Sequence, residues 1–332
     1  MSETSATNGL DAYVGWLADR GRTFTSYEEL WQWSIDDLEA FWASIWDYFE
    51  VKGSYERVLG SREMPFAEWF PGARLNYAEH MLGEPEDRDA AAVIAYSQTR
   101  DRSELTFGEL TDQVGRARAG LIRLGVGRGD RVVGFIPNIP EALVAFLACA
   151  SLGAIWASCA PEFGARSVVD RFSQVEPTVL ITVGGYTYGN KEIDKSAEVT
   201  AIRKGLPTLR HVVGVSYGPY EVSEALPWSE LLAEPAPVAF DRVPFDHPLY
   251  VLFSSGTTGL PKPIVHGHGG ILLEHFKTQA FHLDVRPGDC SLWFTTTAWA
   301  MWNIWMSALL RRAALVVVDG NPLFPDLLQQ WR

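Results

Sequence analysis

Hydroxyl groups, glycines and one lysine follow an apolar stretch near residue 250, and this mixture is typical of a loop that holds phosphate groups. The stretch Tyr250-Val-Leu-Phe runs directly into Ser254-Ser255-Gly256-Thr257-Thr258-Gly259, and Lys262 follows three residues later. Glycines allow backbone N–H groups to approach anionic oxygens closely, the hydroxyls add donors, and the lysine supplies a mobile positive charge. The segment therefore predicts a loop that binds the phosphates of a nucleotide.

The spacing of this loop differs from that of the P-loop of GTPases and kinase-type ATPases. That motif requires Gly-x-x-x-x-Gly-Lys-Ser/Thr, whereas here Gly256 and Gly259 are three residues apart and Lys262 precedes Pro263. Those two classes of nucleotide-binding protein are therefore disfavoured. An ordinary turn between two strands is the alternative interpretation, and the length of the hydroxyl-rich run favours the phosphate loop over it.

Together with the loop, four further segments resemble the acyl-adenylate-forming enzymes, and within that superfamily the acetoacetyl-CoA synthetase family. They are Trp31-Gln-Trp33-Ser34, Trp69-Phe70-Pro71-Gly72-Ala73-Arg74-Leu75-Asn76-Tyr77-Ala78-Glu79, Pro263-Ile-Val-His266-Gly-His268-Gly-Gly270 and Thr295-Thr296-Thr297-Ala298-Trp299-Ala300-Met301-Trp302-Asn303. The likeness extends from about Ser26 to the last residue. Because members of that family are roughly double this length, the chain resembles the front half of one.

The resemblance implies a two-step reaction in which a carboxylic acid is activated with ATP and then joined to a thiol. The carboxylate of a short keto or carboxylic acid, with acetoacetate expected, attacks the α-phosphorus of ATP and releases pyrophosphate. The acyl-adenylate then yields to the thiol of coenzyme A, and Mg²⁺ is assumed, as in other in-line phosphoryl chemistry. The residues that the resemblance assigns to the β- and γ-phosphates are Ser254, Ser255, Gly256, Thr257, Thr258, Gly259 and Lys262.

An aromatic segment provides a second set of candidate residues. By resemblance, Trp299, Ala300, Met301 and Asn303 border the acyl pocket, where side-chain size sets the acid accepted. Core packing is the alternative interpretation, because tryptophans at positions 299, 302 and 305 spread over adjoining faces of a helix. The family pattern has methionine where this chain has Ala300, so the alanine is expected to enlarge or reshape the pocket.

Four other residues are weaker candidates for special roles. Lys191 resembles the position where related synthetases meet the phosphates of coenzyme A, although an exposed lysine is common. His266 and His268 alternate along an extended segment, but two ligands without a third favour structural roles, so no metal site is predicted. Arg312 stands where the family usually has glycine, in a turn that needs positive φ.

No residue matches the catalytic lysine that the family carries near its C-terminus, so no catalytic residue is assigned within this chain. Two hypotheses therefore stay open. The first is an ATP-dependent acid–thiol ligase of which this chain is the N-terminal part. The second is a catalytically inactive, truncated or degenerate fragment that retains at most weak nucleotide binding.

Extended and helical segments alternate after residue 83, which predicts an α/β fold of largely parallel sheets flanked by helices. The capping box Thr106-Phe-Gly-Glu109 and Pro140 mark helix starts, and Gly153 marks a helix end. By resemblance this is the incomplete large N-terminal domain of the adenylate-forming fold. The expected divisions are a disordered tail over 1–22, a helical N-terminal cap over 23–85 with a helical pattern across 27–49, an α/β subdomain over 86–240, and a second α/β subdomain over 241–332 that carries the phosphate loop.

The composition is that of a protein with a hydrophobic core, since 47% of the residues are hydrophobic and 21% are charged. The net charge of −13 argues against nucleic acid and anionic membrane as partners, because both attract clustered Lys and Arg. The apolar stretch 142–160 divides at Gly153 into a helix and a strand and is not expected to cross a membrane. Three scattered cysteines fit a reducing compartment, so a cytoplasmic location is expected, and the oligomeric state is left open.

Overall fold

The computed structural model describes residues 8–255 and 259–325 of the 332-residue chain. In those ranges eleven α-helices, α1 to α11, span Gly9–Ala18, Tyr27–Asp36, Leu38–Tyr48, Tyr77–Met81, Phe107–Arg123, Pro140–Leu152, Ala165–Phe172, Ser196–Gly205, Trp228–Leu231, His268–Lys277 and Ala300–Met306. Seventeen strands, β1 to β17, span Leu59–Ser61, Glu68–Trp69, Arg74–Leu75, Ala91–Ser97, Ser103–Thr106, Arg131–Phe135, Ile155–Cys159, Val179–Val183, Gly185–Tyr188, Lys191–Asp194, His211–Val215, Leu226–Pro227, Val243–Pro244, Pro248–Ser254, Lys262–Gly267, Cys290–Leu292 and Ala314–Asp319. Short 3-10 helices cover Pro85–Asp87 and Ser307–Arg311, and a π-helical turn covers Thr278–His282.

A seven-stranded sheet forms the larger of the two main layers. Its strand order is β12-β11-β8-β6-β7-β14-β15, and its pairs are parallel except for the antiparallel pair of β14 with β15. Every residue of β8 is buried, which suits a strand covered on both faces and explains why four of its five residues are apolar. The predicted α/β class with largely parallel sheets is confirmed.

A four-stranded sheet with the order β16-β17-β4-β5 forms the second main layer. Strands β16, β17 and β4 are parallel, and β5 pairs antiparallel with β4. The apolar helix α6 is buried along almost its whole length, as expected for a helix that is hydrophobic all round. Its N-terminal proline and its left-handed C-cap Gly153, with φ of 67°, confirm the two predicted boundaries.

Both sheets draw strands from both sides of residue 240, where a boundary between two subdomains was expected. Strands β14 and β15 extend the sheet that β6 to β8 begin, while β17 pairs with β4 through partners such as Val317 and Ala95. The passage 227–248, expected as the seam, instead holds α9 and the short strand β13, which pairs with β3. The predicted boundary at residue 240 therefore does not separate the strands of one sheet from those of the other.

The N-terminal region differs from its prediction in two places. Residues 9–18 form helix α1 and are not a disordered tail, because Tyr13 and Leu17, one turn apart, are buried against the rest of the fold. The Tyr13 hydroxyl lies 2.6 Å from Ser44 Oγ, and its ring stacks on Phe281 at 4.7 Å. Residues 1–7 of the expected tail lie outside the described residues.

The second difference is a break that the helical pattern predicted across 27–49 did not show: the segment is helical, but it forms two helices, α2 and α3. Asp37 leaves helical geometry with φ of −123°, and its carboxylate accepts a hydrogen bond from the Ala40 backbone N–H at 3.1 Å. An aspartate in this role starts a new helix, because it satisfies an N–H that has no partner within the helix. The aromatic pattern continued across the break and therefore concealed it.

Arg312 adopts the left-handed conformation that was expected to need glycine, with φ of +59°. Its guanidinium donates to the His80 carbonyl at 3.3 Å and pairs with Asp87 at 2.9 Å. A non-glycine residue in this region costs on the order of 1 kcal/mol. These contacts offset that cost and explain how the chain accommodates an arginine in this turn.

Candidate functional site

A cavity of about 310 Å³ opens at the carboxyl ends of parallel strands from both sheets. Asn138 follows β6, Ala160 follows β7, Thr296 and Trp299 follow β16, and Asp319 ends β17, and all five line this cavity. In α/β proteins, ligands bind where the carboxyl ends of parallel strands meet, because the connecting loops diverge there. We call this space the inter-sheet cavity.

The predicted phosphate loop lies at the same edge of the seven-stranded sheet. Strand β14 runs parallel to β7 and ends at Ser254, and β15 begins at Lys262, which is directly paired with Ser254. Ser254, Ser255, Gly259 and Lys262 are all exposed. The structure therefore brings the hydroxyl and the lysine to opposite sides of one turn, while the predicted residues Gly256, Thr257 and Thr258 lie outside the described residues.

A second cavity, of about 600 Å³, separates this loop from helix α7. Ser255 and Gly259 form one wall, and Arg166 and Arg171 of α7 lie on the other. The Gln174 side chain donates to the Pro261 carbonyl at 3.0 Å and so ties the loop to the residues that follow α7. Two arginines and one aspartate, Asp170, line this cavity, so its charged side chains carry a net charge of about +1.

The four residues predicted to border the acyl pocket occupy different environments. Trp299 caps the N-terminus of α11, is 58% exposed and lines the inter-sheet cavity. Ala300 is exposed, Met301 is half-buried and Asn303 is buried, and none of these three lines that cavity. The alternative interpretation, core packing, applies to the neighbouring tryptophans Trp302 and Trp305, since both are buried.

Asp319 is a feature of this cavity that sequence reasoning missed. Its carboxylate accepts a hydrogen bond from the Tyr217 hydroxyl at 2.5 Å, and the same hydroxyl lies 2.5 Å from Ser97 Oγ. Burial raises the pKa of Asp319 to about 7 and also raises the pKa of the Tyr217 phenol. The sequence signal that could have identified Asp319 is its position directly after the apolar residues of strand β17.

Asn138 is the second residue that was missed, and its orientation is fixed by a neighbour. The Trp302 indole N–H donates to the Asn138 side-chain oxygen at 2.9 Å, and both residues are buried. Because an indole nitrogen is only a donor, it must face the oxygen of the amide and not its nitrogen. No sequence motif marks this pair, since the partners lie on different elements far apart in the chain.

Lys191 lies at the start of β10 in the hairpin that β9 and β10 form, opposite Tyr188. Tyr188 lines the inter-sheet cavity, whereas Lys191 is exposed and does not. Lys191, the predicted coenzyme A contact, therefore lies outside the cavity, whereas Tyr188 of the same hairpin reaches it. Within the described residues, Lys191 makes no ion pair.

The two alternating histidines have separate structural partners. His266 Nδ1 lies 3.1 Å from the Tyr250 hydroxyl, and His268 Nδ1 accepts from the Tyr77 backbone N–H at 3.2 Å. His268 begins helix α10 and is buried, with its pKa lowered by burial to about 3. Among the residues described, no group of three or more His, Cys, Asp or Glu is arranged to hold a metal ion, and no helix is long and apolar enough to cross a membrane.

Comparison with known protein families identifies the chain at the family level. Residues 84–332 match the family described as AMP-binding enzyme, and residues 27–81 match the family described as acetyl-coenzyme A synthetase N-terminus. Because the first match covers well over half of the sequence, this chain belongs to the AMP-binding enzyme family.

Individual relatives give a finer likeness. An acetoacetyl-coenzyme A synthetase of Rhizobium meliloti (strain 1021) is 40% identical over 324 residues, which cover 95% of this chain and 49% of that protein. A malonamoyl-CoA synthetase of Penicillium aethiopicum is 36% identical over 325 residues, covering 92% of this chain and 45% of that protein. The solved structure of an acetoacetyl-CoA synthetase from Streptomyces lividans superposes with a TM-score of 0.94 at 47% identity, over 98% of this chain and 51% of that one. The chain spans about half the length of the relatives it matches.

Proposed function

We propose that this chain is the N-terminal part of an ATP-dependent acid–thiol ligase. The proposed substrate is acetoacetate or a similar short acid, activated as an acyl-adenylate and transferred to coenzyme A. The observation that carries the proposal is the common position of two features: the hydroxyl-rich loop and the inter-sheet cavity both lie at the carboxyl edge of the seven-stranded sheet. A carboxylate and a triphosphate held there would be on the same side of the molecule.

The proposed contribution of the loop is positioning and charge stabilisation. Ser254 and Lys262 would hold the β- and γ-phosphates from opposite sides of the turn, with Ser255, Gly256, Thr257, Thr258 and Gly259 supplying further donors. Pyrophosphate is a better leaving group when its developing charge meets fixed donors and cations, so this arrangement would favour attack of the carboxylate on the α-phosphorus. Arg166 and Arg171, across the second cavity, would add positive charge for the same phosphates.

Three further parts of the proposal concern the surroundings of the reaction. Mg²⁺ would accompany ATP, with the phosphate oxygens as its principal ligands, as is common for this ion. Trp299 would border the acyl group within the inter-sheet cavity, and Ala300, Met301 and Asn303, which do not line that cavity, would complete the acyl pocket from helix α11. Lys191 would contact the phosphates of coenzyme A. We place the activity in the cytoplasm and in the metabolism of short fatty and keto acids, with small molecules as its partners and neither nucleic acid nor membrane among them.

The test of the loop is the affinity of the 332-residue chain for Mg·ATP, measured by isothermal titration calorimetry. Lys262→Ala is expected to weaken that affinity by about tenfold or more, because a charge-assisted contact to phosphate is lost. Lys204→Ala, which removes an exposed lysine in the last turn of α8, serves as the matched control and should leave the affinity unchanged. Equal affinities for the Lys262→Ala variant and the unsubstituted chain would contradict the loop assignment.

Acetoacetate-dependent exchange of labelled pyrophosphate into ATP tests whether this chain alone activates the acid. We expect little or no exchange by this chain alone, since the relatives use a polypeptide about twice as long. ATP binding without exchange supports the proposed N-terminal part. Failure to bind either ATP or the acid would support the inactive-fragment hypothesis. Robust exchange would show that this chain forms the acyl-adenylate without further residues.

A further inference from the structure

The inter-sheet cavity contains an oriented amide donor. Asn138 is 6% exposed and lines the cavity, while its oxygen is occupied by the Trp302 indole N–H at 2.9 Å. The amide nitrogen therefore turns away from the indole, and it makes no hydrogen bond to another residue in the described part of the chain. A donor held in this way presents its N–H groups to whatever occupies the cavity.

Two elements hold this donor in place. Asn138 lies two residues before Pro140, the first residue of helix α6, and Trp302 belongs to α11. Trp302 is 1% exposed and packs edge-on against Phe146 of α6 at a centroid distance of 6.1 Å. The indole is thus fixed by the same helix that follows Asn138, so the amide cannot rotate without losing its only contact to Trp302.

Two acidic side chains, Glu162 and Asp319, line the cavity beside Asn138, and two threonine hydroxyls in or near it are committed to the backbone. The Thr295 hydroxyl donates to the Thr296 carbonyl at 3.4 Å, and the Thr297 hydroxyl donates to the Ile136 carbonyl at 2.7 Å. None of the described residues that line the cavity is Lys, Arg or His. The cavity therefore suits an uncharged acyl group that carries a hydrogen-bond acceptor, and not the carboxylate end of an acid.

The names of the relatives point to an acceptor of this kind. An acetoacetyl group and a malonamoyl group differ at one end, a methyl against an amino group, but both carry a carbonyl at the third carbon. We propose that Asn138 is a specificity-determining residue that donates a hydrogen bond to this third-carbon carbonyl oxygen. The inference rests on the proposed function, and it narrows the substrate class to short acids with a carbonyl at that position.

The proposal predicts discrimination against an acid that lacks the carbonyl. Butyrate has the same number of carbons as acetoacetate but a methylene at the third carbon, so it would leave the Asn138 donor buried without a partner. Sites built to bond a substrate oxygen reject analogues without it strongly, and single hydrogen bonds correspond to roughly tenfold in affinity. We expect acetoacetate to bind the Mg·ATP complex of this chain at least about tenfold more tightly than butyrate.

The experiment compares both acids on four proteins by titration calorimetry in the presence of Mg·ATP. Asn138→Leu keeps the size of the side chain and removes the donor, and Trp302→Phe keeps the amide but releases its orientation. Gln113→Leu, a half-buried polar residue of α5 outside the cavity, is the matched control. Asn138→Leu should lower the affinity for acetoacetate to that for butyrate, Trp302→Phe should reduce the preference, and Gln113→Leu should preserve it.

Each outcome bears on a different claim. A preference for acetoacetate that persists in Asn138→Leu, with folding verified by circular dichroism, overturns the role of Asn138 and leaves the proposed function standing. An unsubstituted chain that binds both acids equally also overturns the inference. If the chain binds ATP but neither acid, the inter-sheet cavity is not an acyl pocket, and both the inference and the acid-binding part of the proposed function fail.

Discussion

The buried histidine His275 should make the stability of this protein depend on pH. It lies on α10 with 2% of its surface exposed, and its Nδ1 is 2.8 Å from the Tyr77 hydroxyl. Burial lowers its pKa to about 3, and the nearby His266 adds to the effect. The folded protein therefore keeps this imidazole neutral, whereas the unfolded chain binds a proton below about pH 6.5.

The magnitude follows from the difference between the two pKa values. Stability contributed by the neutral imidazole is complete above pH 6.5 and is lost as the pH falls toward 3. At pH 5.0, proton binding to this one residue stabilises the unfolded state by about 2 kcal/mol relative to the folded state. At pH 7.5 this stabilisation is close to zero. His275→Gln removes this proton-binding difference, so its effect on the free energy of unfolding should be about 2 kcal/mol more favourable at pH 5.0 than at pH 7.5.

The assay is urea unfolding followed by tryptophan fluorescence at the two pH values. Leu272→Ala is the matched control, because Leu272 is fully buried on the same helix and does not titrate. It should cost about 2 to 5 kcal/mol at both pH values alike. A His275→Gln effect that is equal at pH 5.0 and pH 7.5 would refute the reasoning, because a histidine held neutral in the fold cannot give that result.

Two further substitutions test other buried polar groups. The raised pKa of Asp319 means that the fold loses stability as the pH rises from about 4 through 7, so Asp319→Asn should stabilise the protein by up to about 4 kcal/mol at pH 8 and by little at pH 4; a melting temperature that rises equally at both pH values would contradict this. The fully buried Asn76 donates to the carbonyls of Ala150 at 2.8 Å and Asp241 at 3.0 Å, so Asn76→Ala should lower the free energy of unfolding by about 3 kcal/mol. A loss of well under 1 kcal/mol in the same urea assay would show that water replaces those contacts.

The parts of the fold that the sequence predicted well are those governed by local chemistry. The capping box of α5 is present, with Thr106 and Glu109 each accepting from the backbone of the other. Strand β8 begins and ends where its mainly apolar, β-branched segment does, at Val179 and Val183. In these cases the deciding interaction lies within a few residues, so the pattern contains the information that sets the boundary.

The parts that failed depend on contacts between distant residues. Helix α1 is stabilised by Tyr13 packing on Phe281, and the apolar residues of α1 do not show which distant residue they pack against. In the same way, the inter-sheet cavity joins Asn138, Trp299 and Asp319 only because two sheets meet there. The family resemblance located the loop from its residues, whereas the orientation of Asn138 required the position of Trp302.

The pairing of β4 with β17 has a consequence for how the chain is made. Val93 and Leu315 are direct partners although about 220 residues separate them in the sequence, so β4 and β5 leave the ribosome long before the strand that covers their edge. A nascent chain would carry this hairpin with an unpaired, hydrogen-bonding edge until β17 has been synthesised. Slow translation, or a pause before β17 is made, should therefore increase the dependence of this protein on chaperones. The increase should be larger than for a protein whose paired strands follow one another in the sequence.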